Sequence, residues 1–346
     1  MGVQNCFYAP CWPNNIQKKG PGQALMKPSI EKIAIIGAGA LGAAYGSIFY
    51  ERNPRCVYFI ASGARYEKLK RDGVVVNGKR YAIAVARPEE ATPADLLIVA
   101  VKHHHLDQAI AEMKRAIGPE TAVLSVMNGI ESEERIGAVY GMDKVLYGLT
   151  LGIDAVREGN SVNYKNQGRI LFGEAKNPAM TDRVRRIKEL FDRAGIAHVI
   201  PPDMIRSLWF KYMVNVGANQ ASAVLRANYG TLKTSPEARE LMDSAMREVI
   251  AIARAMKVDL SEKDIEEWYK VLEPLNPVGK TSMFQDVEAG RKTEVEMFAG
   301  TVIELGKRHG IPTPVNQRLF DELKRIEASS GESLKGRDHE KGTIAG

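Results

Sequence analysis

The sequence of 346 residues is poor in cysteine and contains no long apolar run. A membrane-spanning helix needs about 20 consecutive apolar residues, so we expect no membrane partner. The three cysteines cannot build a disulfide framework, and Cys6 and Cys11 both lie in an irregular N-terminal segment. This cysteine content is typical of a reducing compartment, and we therefore expect a cytoplasmic protein.

The sequence also lacks clusters of charge of one sign. Its net charge is +6, and the basic residues are dispersed among acids instead of alternating with aromatic residues. Grooves that bind nucleic acids use such alternation, so we expect no nucleic-acid partner. The adjacent His103, His104 and His105 cannot face one point on a helix and have no partner ligand, so we expect no metal site.

The strongest local signal is a glycine-rich turn between an apolar strand, Ile30–Ile36, and a helix, Ala43–Arg52. Strand, glycine turn and helix in this order are what a dinucleotide fingerprint requires. Its glycines permit the tight turn, the approach of a pyrophosphate and close helix packing; a turn without a ligand is the alternative. The predicted cofactor-binding segment consists of Gly37, Ala38, Gly39, Ala40, Leu41 and Gly42.

The residues after the second predicted strand, Val57–Ala61, favour NADPH over NADH. NAD sites place an acid at the end of this strand to bind the ribose hydroxyls, and no acid occurs here before Glu67. Ser62 and Arg65 can instead bind a 2′-phosphate. The alternative for Arg65 is an ordinary surface charge at the start of a helix.

Lys102 and Asn128 each follow a predicted parallel strand, Asp95–Val101 and Thr121–Val126. Ligands of Rossmann sheets bind at the carboxyl ends of the strands, so we expect both side chains at the ligand-binding edge. The alternative for Asn128 is a turn residue before Gly129.

The pattern changes at Pro201 and becomes helical from Met204 onward. We predict an α/β fold with an N-terminal Rossmann dinucleotide-binding domain over residues 29–203 and a C-terminal all-helical domain over residues 204–330. Residues 1–28 contain prolines and glycines without periodicity, which predicts a disordered leader. Residues 331–346 are polar and predict a flexible tail. The expected helices are Met204–Leu225, Pro236–Met256, Ser261–Leu272, Ser282–Gly290, Val295–Gly310 and Pro314–Ser329.

Lys211, Asn215 and Asn219 recur every four residues in the first of these helices and form one stripe. A lysine and two amides on a mostly apolar helix are costly to bury unless they face a cleft, a ligand or each other. The alternative is an amide pair in a helix seam, with Lys211 extending to solvent. Ser282 and Glu294 likewise are either site residues or, respectively, an N-cap and a first-turn acid.

Together these motifs resemble the ketopantoate reductase (2-dehydropantoate 2-reductase) family, and they follow its order over about residues 31–328. The pairing of Lys-x-x-x-Asn with Ser-Met-x-Gln-Asp is more specific than any glycine loop. The matching segments are Gly37–Gly42, Val101-Lys102, Asn128-Gly129, Leu208–Asn215, Asn219, Ser282–Asp286 and Thr293-Glu294.

The resemblance implies NADPH-dependent reduction of 2-dehydropantoate to (R)-pantoate, in pantothenate and coenzyme A biosynthesis, in a cleft between the two domains. Lys211 corresponds to the catalytic lysine that polarises and protonates the keto oxygen, and Glu294 to an acid that binds the substrate hydroxyl. Lys102 corresponds to a cofactor-side lysine, and Asn128 also lies near the nicotinamide. The substrate-binding positions correspond to Asn215, Asn219, Ser282 and Asn128.

Two positions depart from the family pattern. The family usually has Arg where this chain has Ser62, so the NADPH preference rests on Arg65. A family Asn near Gly230 is displaced to Asn228, which bears on substrate specificity. Two alternative functions therefore remain open: a reductase of another small 2-keto acid and a non-catalytic NADP-binding sensor. The helical domain could also offer a face for a homodimer.

Overall fold

The computed structural model describes residues 29–342, and the side chains of residues 29–329. The predicted leader, residues 1–28, lies outside them. An α/β part with a mainly parallel sheet is followed by a helical part, which confirms the predicted fold class. Within residues 29–342, none of the helices combines the length and apolarity needed to cross a bilayer.

The central strands of the main sheet are short apolar segments, because parallel strands covered on both faces bury every side chain, whereas some strands of the second sheet are largely polar. The strands are β1 (Ile33–Ile36), β2 (Val57–Ile60), β3 (Val74–Val76), β4 (Lys79–Tyr81), β5 (Ala84–Ala86), β6 (Leu96–Val99), β7 (Ala122–Ser125), β8 (Val145–Ile153), β9 (Val156–Glu158), β10 (Ser161–Asn163), β11 (Gln167–Gly173) and β12 (His198–Val199).

The main sheet has eight strands in the order β12-β11-β8-β7-β6-β1-β2-β5. The six neighbouring strands β5, β2, β1, β6, β7 and β8 run parallel to one another. Strand β11 then pairs antiparallel with β8. A second sheet of four strands has the order β4-β3-β10-β9, with β10 parallel to β3. The carboxyl ends of β1, β2, β6 and β7 therefore share one edge of the main sheet.

The helices of the α/β part are α1 (Ala40–Arg52), α2 (Gly63–Asp72), α3 (Leu106–Glu112), α4 (Ser132–Tyr140) and α5 (Asp182–Ala194). Those of the helical part are α6 (Met204–Val214), α7 (Gln220–Val224), α8 (Tyr229–Thr234), α9 (Pro236–Ala255), α10 (Glu262–Leu272), α11 (Ser282–Glu288), α12 (Thr301–His309) and α13 (Pro314–Gly342). There are two π-helical turns. The first, Asn215–Asn219, joins α6 to α7, and the second, Glu296–Gly300, directly precedes α12.

The core lies on both faces of the main sheet and around α9. Phe49 of α1 and Phe191 of α5 stack with ring centroids 6.5 Å apart on one face, and α3 and α4 cover the other. Leu149 of β8 packs against Met204 and Leu208 of α6. This apolar seam fixes α6 beside the sheet, so a side chain on α6 can reach the sheet edge.

The helical part differs from the sequence prediction in four places. The helix expected over Met204–Leu225 is divided by the first π turn, and that expected over Val295–Gly310 opens with the second. Helix α8, capped by Asn228, was not predicted. Helix α13 does not end at Ser329 but continues to Gly342, and no proline interrupts residues 330–342.

Candidate active site

The glycine turn after β1 has the geometry of a cradle for a pyrophosphate. Gly37 has φ +100°, and a Cβ at Gly42 would lie 1.9 Å from the carbonyl oxygen of Gly37, so the turn itself requires both glycines. Gly39 is different, because its φ is −79° and the nearest atom to a Cβ would be Ala100 O at 3.9 Å. The missing side chain of Gly39 thus leaves open space where a ligand can approach the backbone.

Helix α1 begins at this open space without a side-chain cap and without an acid in its first turn. Its first backbone N–H groups and the positive end of its dipole are therefore available to an anion. Both observations fit the pyrophosphate of a dinucleotide at the glycine turn.

Ser62 and Arg65, which follow β2, have different partners. The Ser62 hydroxyl donates to Glu112 Oε1 at 2.6 Å. Arg65 Nη2 instead donates to the carbonyl oxygen of Ala38 in the glycine turn. Arg157 of β9 donates to this same oxygen at 2.8 Å, and sequence reasoning had not singled it out.

Lys211 of α6 meets the edge of the sheet through Asn128. Its Nζ donates to Asn128 Oδ1 at 3.0 Å, and Asn128 Nδ2 donates to Glu294 Oε2 at 3.2 Å. Asn128 therefore binds both predicted catalytic residues, one through each end of its amide. The alternatives of a solvent-directed Lys211 and a simple turn residue at Asn128 do not describe these contacts.

Burial lowers the pKa of Lys211 to about 8, against the attraction of Glu294 and then Glu133. An ammonium in this position is poorly solvated and gives up its proton close to neutral pH. Lys211 can therefore donate a hydrogen bond while charged and lose the proton afterwards.

Lys102 lies across the same cleft from the helical part. Its Nζ is 3.3 Å from Glu294 Oε2 and 3.5 Å from Asp286 Oδ2, and Asp286 also pairs with Arg291 at 2.8 Å. Burial acts to lower the pKa of Lys102, but Glu294 and then Asp286 outweigh it and raise the pKa. Lys102 stays charged and joins the sheet edge to the acids of the helical part.

Asn215 and Asn219 remain neighbours although a π turn replaces the expected α-helical spacing. Asn219 Nδ2 donates to Asn215 Oδ1 at 3.3 Å. The structure thus brings together Lys102, Asn128, Lys211 and Glu294, with the two amides farther along the segment that carries Lys211.

Ser282 is not the N-cap that the sequence allowed. Thr281 caps α11 by accepting a hydrogen bond from the backbone N–H of Phe284 at 3.2 Å. Ser282 is exposed at the first position of the helix, and no hydrogen bond joins its hydroxyl to the described residues. Its hydroxyl is therefore free for a ligand.

The two π turns pack against each other at the site. The buried Gln220 accepts a hydrogen bond from Ala299 N at 3.1 Å through Oε1, and its amide group donates to Val216 O at 2.8 Å. Tyr212 donates to Phe298 O at 2.8 Å. These side chains satisfy backbone groups of the widened turns, which are common at functional sites.

Glu133, which sequence reasoning missed, is a carboxyl group buried near Lys211. It is 2% exposed and accepts hydrogen bonds from Ser132 Oγ at 2.8 Å and Gly148 N at 3.4 Å. Burial raises its pKa to about 7, and the hydrogen bonds oppose this rise. In the sequence it resembles an ordinary first-turn acid of α4, so no local signal marks it.

A cavity of about 230 Å³ adjoins Glu294. Its lining includes Glu294 but not Lys211, so the cavity borders the cluster around Lys211 and does not enclose it. Its charged lining residues are one lysine and two glutamates, and the lysine pairs with Glu296 at 3.6 Å. The lining residues are His103, His104, Lys292, Thr293, Glu294, Glu296 and Met297.

Comparison with known proteins identifies the family. The model described as ketopantoate reductase PanE/ApbA matches residues 33–177, and that described as its C-terminal part matches residues 203–327. A 2-dehydropantoate 2-reductase of Pyrococcus horikoshii is 28% identical over 309 residues, which cover 87% of this chain and 99% of that protein.

Solved structures share the fold. A 2-dehydropantoate 2-reductase from Geobacter metallireducens GS-15 has a TM-score of 0.75 and 26% identity, over 85% of this chain and 99% of that one. A D-mandelate dehydrogenase with NADH and anilino(oxo)acetate has a TM-score of 0.77 over 87% of this chain and 99% of that one, and at 24% identity shows the fold alone. With both family models matched in order along most of its length, the chain belongs to the ketopantoate reductase PanE/ApbA family.

Proposed function

We propose that this protein reduces 2-dehydropantoate to (R)-pantoate with NADPH, in pantothenate and coenzyme A biosynthesis. The observation that carries the proposal is the contact of Lys211 with Asn128 beside Glu294, with the Lys211 pKa lowered to about 8. The cofactor, held at the glycine turn, supplies the hydride when bound.

Lys211 acts on the keto oxygen. Negative charge develops on this oxygen as the ketone is reduced, and an ammonium beside it stabilises the transition state more than the ground state. The lowered pKa then lets Lys211 pass its proton to the oxygen near neutral pH. Asn128 holds the amine by its Oδ1, and so positions it at the carboxyl edge of the sheet where the nicotinamide would lie.

Glu294 accepts a hydrogen bond from the substrate hydroxyl in this proposal. Its Oε2 is oriented by Asn128 and Lys102, both from the sheet edge, and Glu294 is only 8% exposed. Asn215, Asn219 and the free hydroxyl of Ser282 supply neutral donors for the rest of the substrate, including its carboxylate. The site thus matches a small acid with a keto group and a hydroxyl.

A different small 2-keto acid is the second candidate, and Asn228 favours it. Asn228 Oδ1 accepts a hydrogen bond from Thr231 N at 2.9 Å as the cap of α8, so its amide oxygen is used within the helical part. The substrate contact that the family makes near this position would then be missing. The catalytic role of Lys211 is the same in both candidates.

The experiment measures the loss of NADPH absorbance by the purified protein with 2-dehydropantoate, pyruvate and branched 2-keto acids in parallel. The same series is repeated with NADH. Turnover confined to 2-dehydropantoate supports the proposal, and turnover confined to another keto acid transfers it to that substrate. No turnover, with NADPH still bound, indicates a nucleotide sensor.

The Lys211→Ala variant tests the mechanism in the same assay. We expect kcat to fall by about 10²- to 10³-fold, as for loss of an oxyanion-stabilising donor, with NADPH binding retained. The matched control is Lys307→Ala, on the exposed side of α12. A Lys211→Ala enzyme with near-normal turnover contradicts the assignment.

A further inference from the structure

Two arginines converge on one backbone oxygen beside the glycine turn. Arg65 Nη2 and Arg157 Nη1 both donate to Ala38 O, the second at 2.8 Å, and Arg157 Nε donates to Gly159 O at 3.1 Å. Both side chains are partly buried. Among the residues whose side chains the structure describes, no carboxylate pairs with either guanidinium.

This arrangement is electrostatically incomplete. Burial, then repulsion from Arg157, lowers the pKa of Arg65 to about 10. Partly buried cations are normally paired, and a neutral carbonyl compensates neither charge. Each guanidinium has more N–H donors than these bonds use, and planar donor forks match phosphate oxygens. An anion between the two arginines would supply the missing charge.

The position of the pair indicates which anion. Arg65 lies in α2, directly after β2, and Ala38 lies in the glycine turn. In Rossmann domains the adenosine ribose lies between these two segments, and an arginine near the end of the second strand accommodates a 2′-phosphate. The position directly after β2 holds Ser62 bound to Glu112, whose carboxylate would repel a phosphate.

The second sheet explains how Arg157 reaches this point. Strand β9 pairs antiparallel with β10, and β10 pairs in parallel with β3. The sheet packs on α1 through β3 and β10, and Arg157 of its edge strand β9 reaches Ala38, just before α1 begins. The sequence separates Arg157 from Arg65 by most of the α/β part, and only this pairing brings them together.

We propose that Arg157 and Arg65 form a two-guanidinium site for the 2′-phosphomonoester of the dinucleotide, with Arg157 as a specificity-determining residue. The pair takes the place of the single arginine that the family usually has at position 62. This inference rests on the proposed function only in its choice of NADPH as cofactor. The competing role is mechanical: the arginines would brace the glycine turn through Ala38 without contacting a ligand.

Binding of NADP⁺ and NAD⁺ to the intact protein separates the two roles, because only NADP⁺ carries the 2′-phosphate. Dissociation constants are measured by titration calorimetry for wild type, Arg157→Ala, Arg157→Lys and the control Arg80→Ala. Arg80 is an exposed arginine of the same sheet that also donates to two backbone carbonyls. The comparison of adenosine 2′,5′-bisphosphate with 5′-AMP, which lacks only the 2′-phosphate, repeats the test without the nicotinamide half.

We expect Arg157→Ala to weaken NADP⁺ by about 10- to 100-fold, the range for charge-assisted hydrogen bonds, and to leave NAD⁺ nearly unchanged. Arg157→Lys should be intermediate because lysine keeps the charge but not the planar fork. Equal weakening of both dinucleotides would show that Arg157 only braces the turn, and no weakening of either would also overturn the inference.

The wild-type measurement distinguishes this failure from failure of the proposed function. A wild-type protein that binds NAD⁺ as tightly as NADP⁺ overturns the two-arginine site, although reduction of 2-dehydropantoate with NADH would still stand. Conversely, a clear loss of NADP⁺ binding in Arg157→Ala supports the site even where 2-dehydropantoate is not turned over.

Discussion

Replacing Lys211 by Met should change how the free energy of unfolding depends on pH, whereas replacing an exposed lysine should not. The pKa of Lys211 is lowered in the folded protein from 10.5 to about 8, mainly by burial. A lysine with a lowered folded pKa destabilises the fold at every pH below that value, and the destabilisation disappears as the pH rises toward the unfolded pKa. One pKa unit corresponds to about 1.4 kcal/mol, so the full effect is about 3 kcal/mol.

The Lys211→Met replacement also removes a hydrogen bond, and the free-energy cost of this loss must be subtracted. Methionine cannot donate to Asn128 Oδ1, and an unpaired buried acceptor costs about 1–3 kcal/mol. This cost does not depend on pH, so it cancels when the difference between variant and wild type is compared at two pH values. From pH 7 to pH 10, wild type should gain about 2–3 kcal/mol of unfolding free energy relative to Lys211→Met.

The assay is urea unfolding of the ligand-free protein at a series of pH values, with Lys307→Met on the exposed side of α12 as the control. The control removes a lysine without removing a buried charge, so its difference from wild type should stay nearly constant. A Lys211→Met difference that is equally constant from pH 7 to pH 10 would show that the Lys211 pKa is not lowered. Lys211 would then not be a proton donor near neutral pH.

Two further variants test the surroundings of the site. The charge of Glu133 raises the pKa of Lys211, so Glu133→Gln should move the basic limb of the pH profile of kcat/KM to lower pH. Glu134→Gln, at the exposed neighbouring position, should leave this limb in place. A basic limb that Glu133→Gln does not move would contradict the electrostatic effect of Glu133 on Lys211. Gln220→Ala removes the acceptor of Ala299 N and a donor to Asn316, and should cost about 2–4 kcal/mol in urea unfolding. The exposed Gln317→Ala is its control, and a loss as small as that of the control would show that Gln220 does not hold the two π turns.

The glycine turn could be predicted from sequence because its requirements are local. Gly37 needs a positive φ and Gly42 needs close contact with the turn, and both follow from the order of strand, turn and helix. Lys102 and Asn128 could be placed at one edge because carboxyl ends of parallel strands share that edge. The contacts among Lys102, Asn128, Lys211 and Glu294 agree with that placement, although their roles in catalysis stay predictions.

The π turns could not be predicted because their stability depends on distant partners. Apolar periodicity favoured one helix through residues 204–225, whereas the structure widens it at Asn215–Asn219. Gly300 N donates to Val295 O, the spacing of a π turn, beside Ala299 N, which is bound by Gln220 from the other segment. The two turns thus depend on contacts between residues that are far apart in the sequence.

The proposed 2′-phosphate site likewise includes a residue, Arg157, that no local sequence signal marks. A motif reading looks for the phosphate ligand next to β2, where this chain has Ser62, and Ser62 is bound to Glu112. Charge near a ligand is set by distance in space, and the second sheet adds Arg157 from a strand that the glycine fingerprint does not include. Arg65 has Arg157 and not an acid as its charged neighbour, and an anion bound between them would offset this repulsion. The proposed site therefore places the cofactor preference of this protein outside the glycine turn and the second strand.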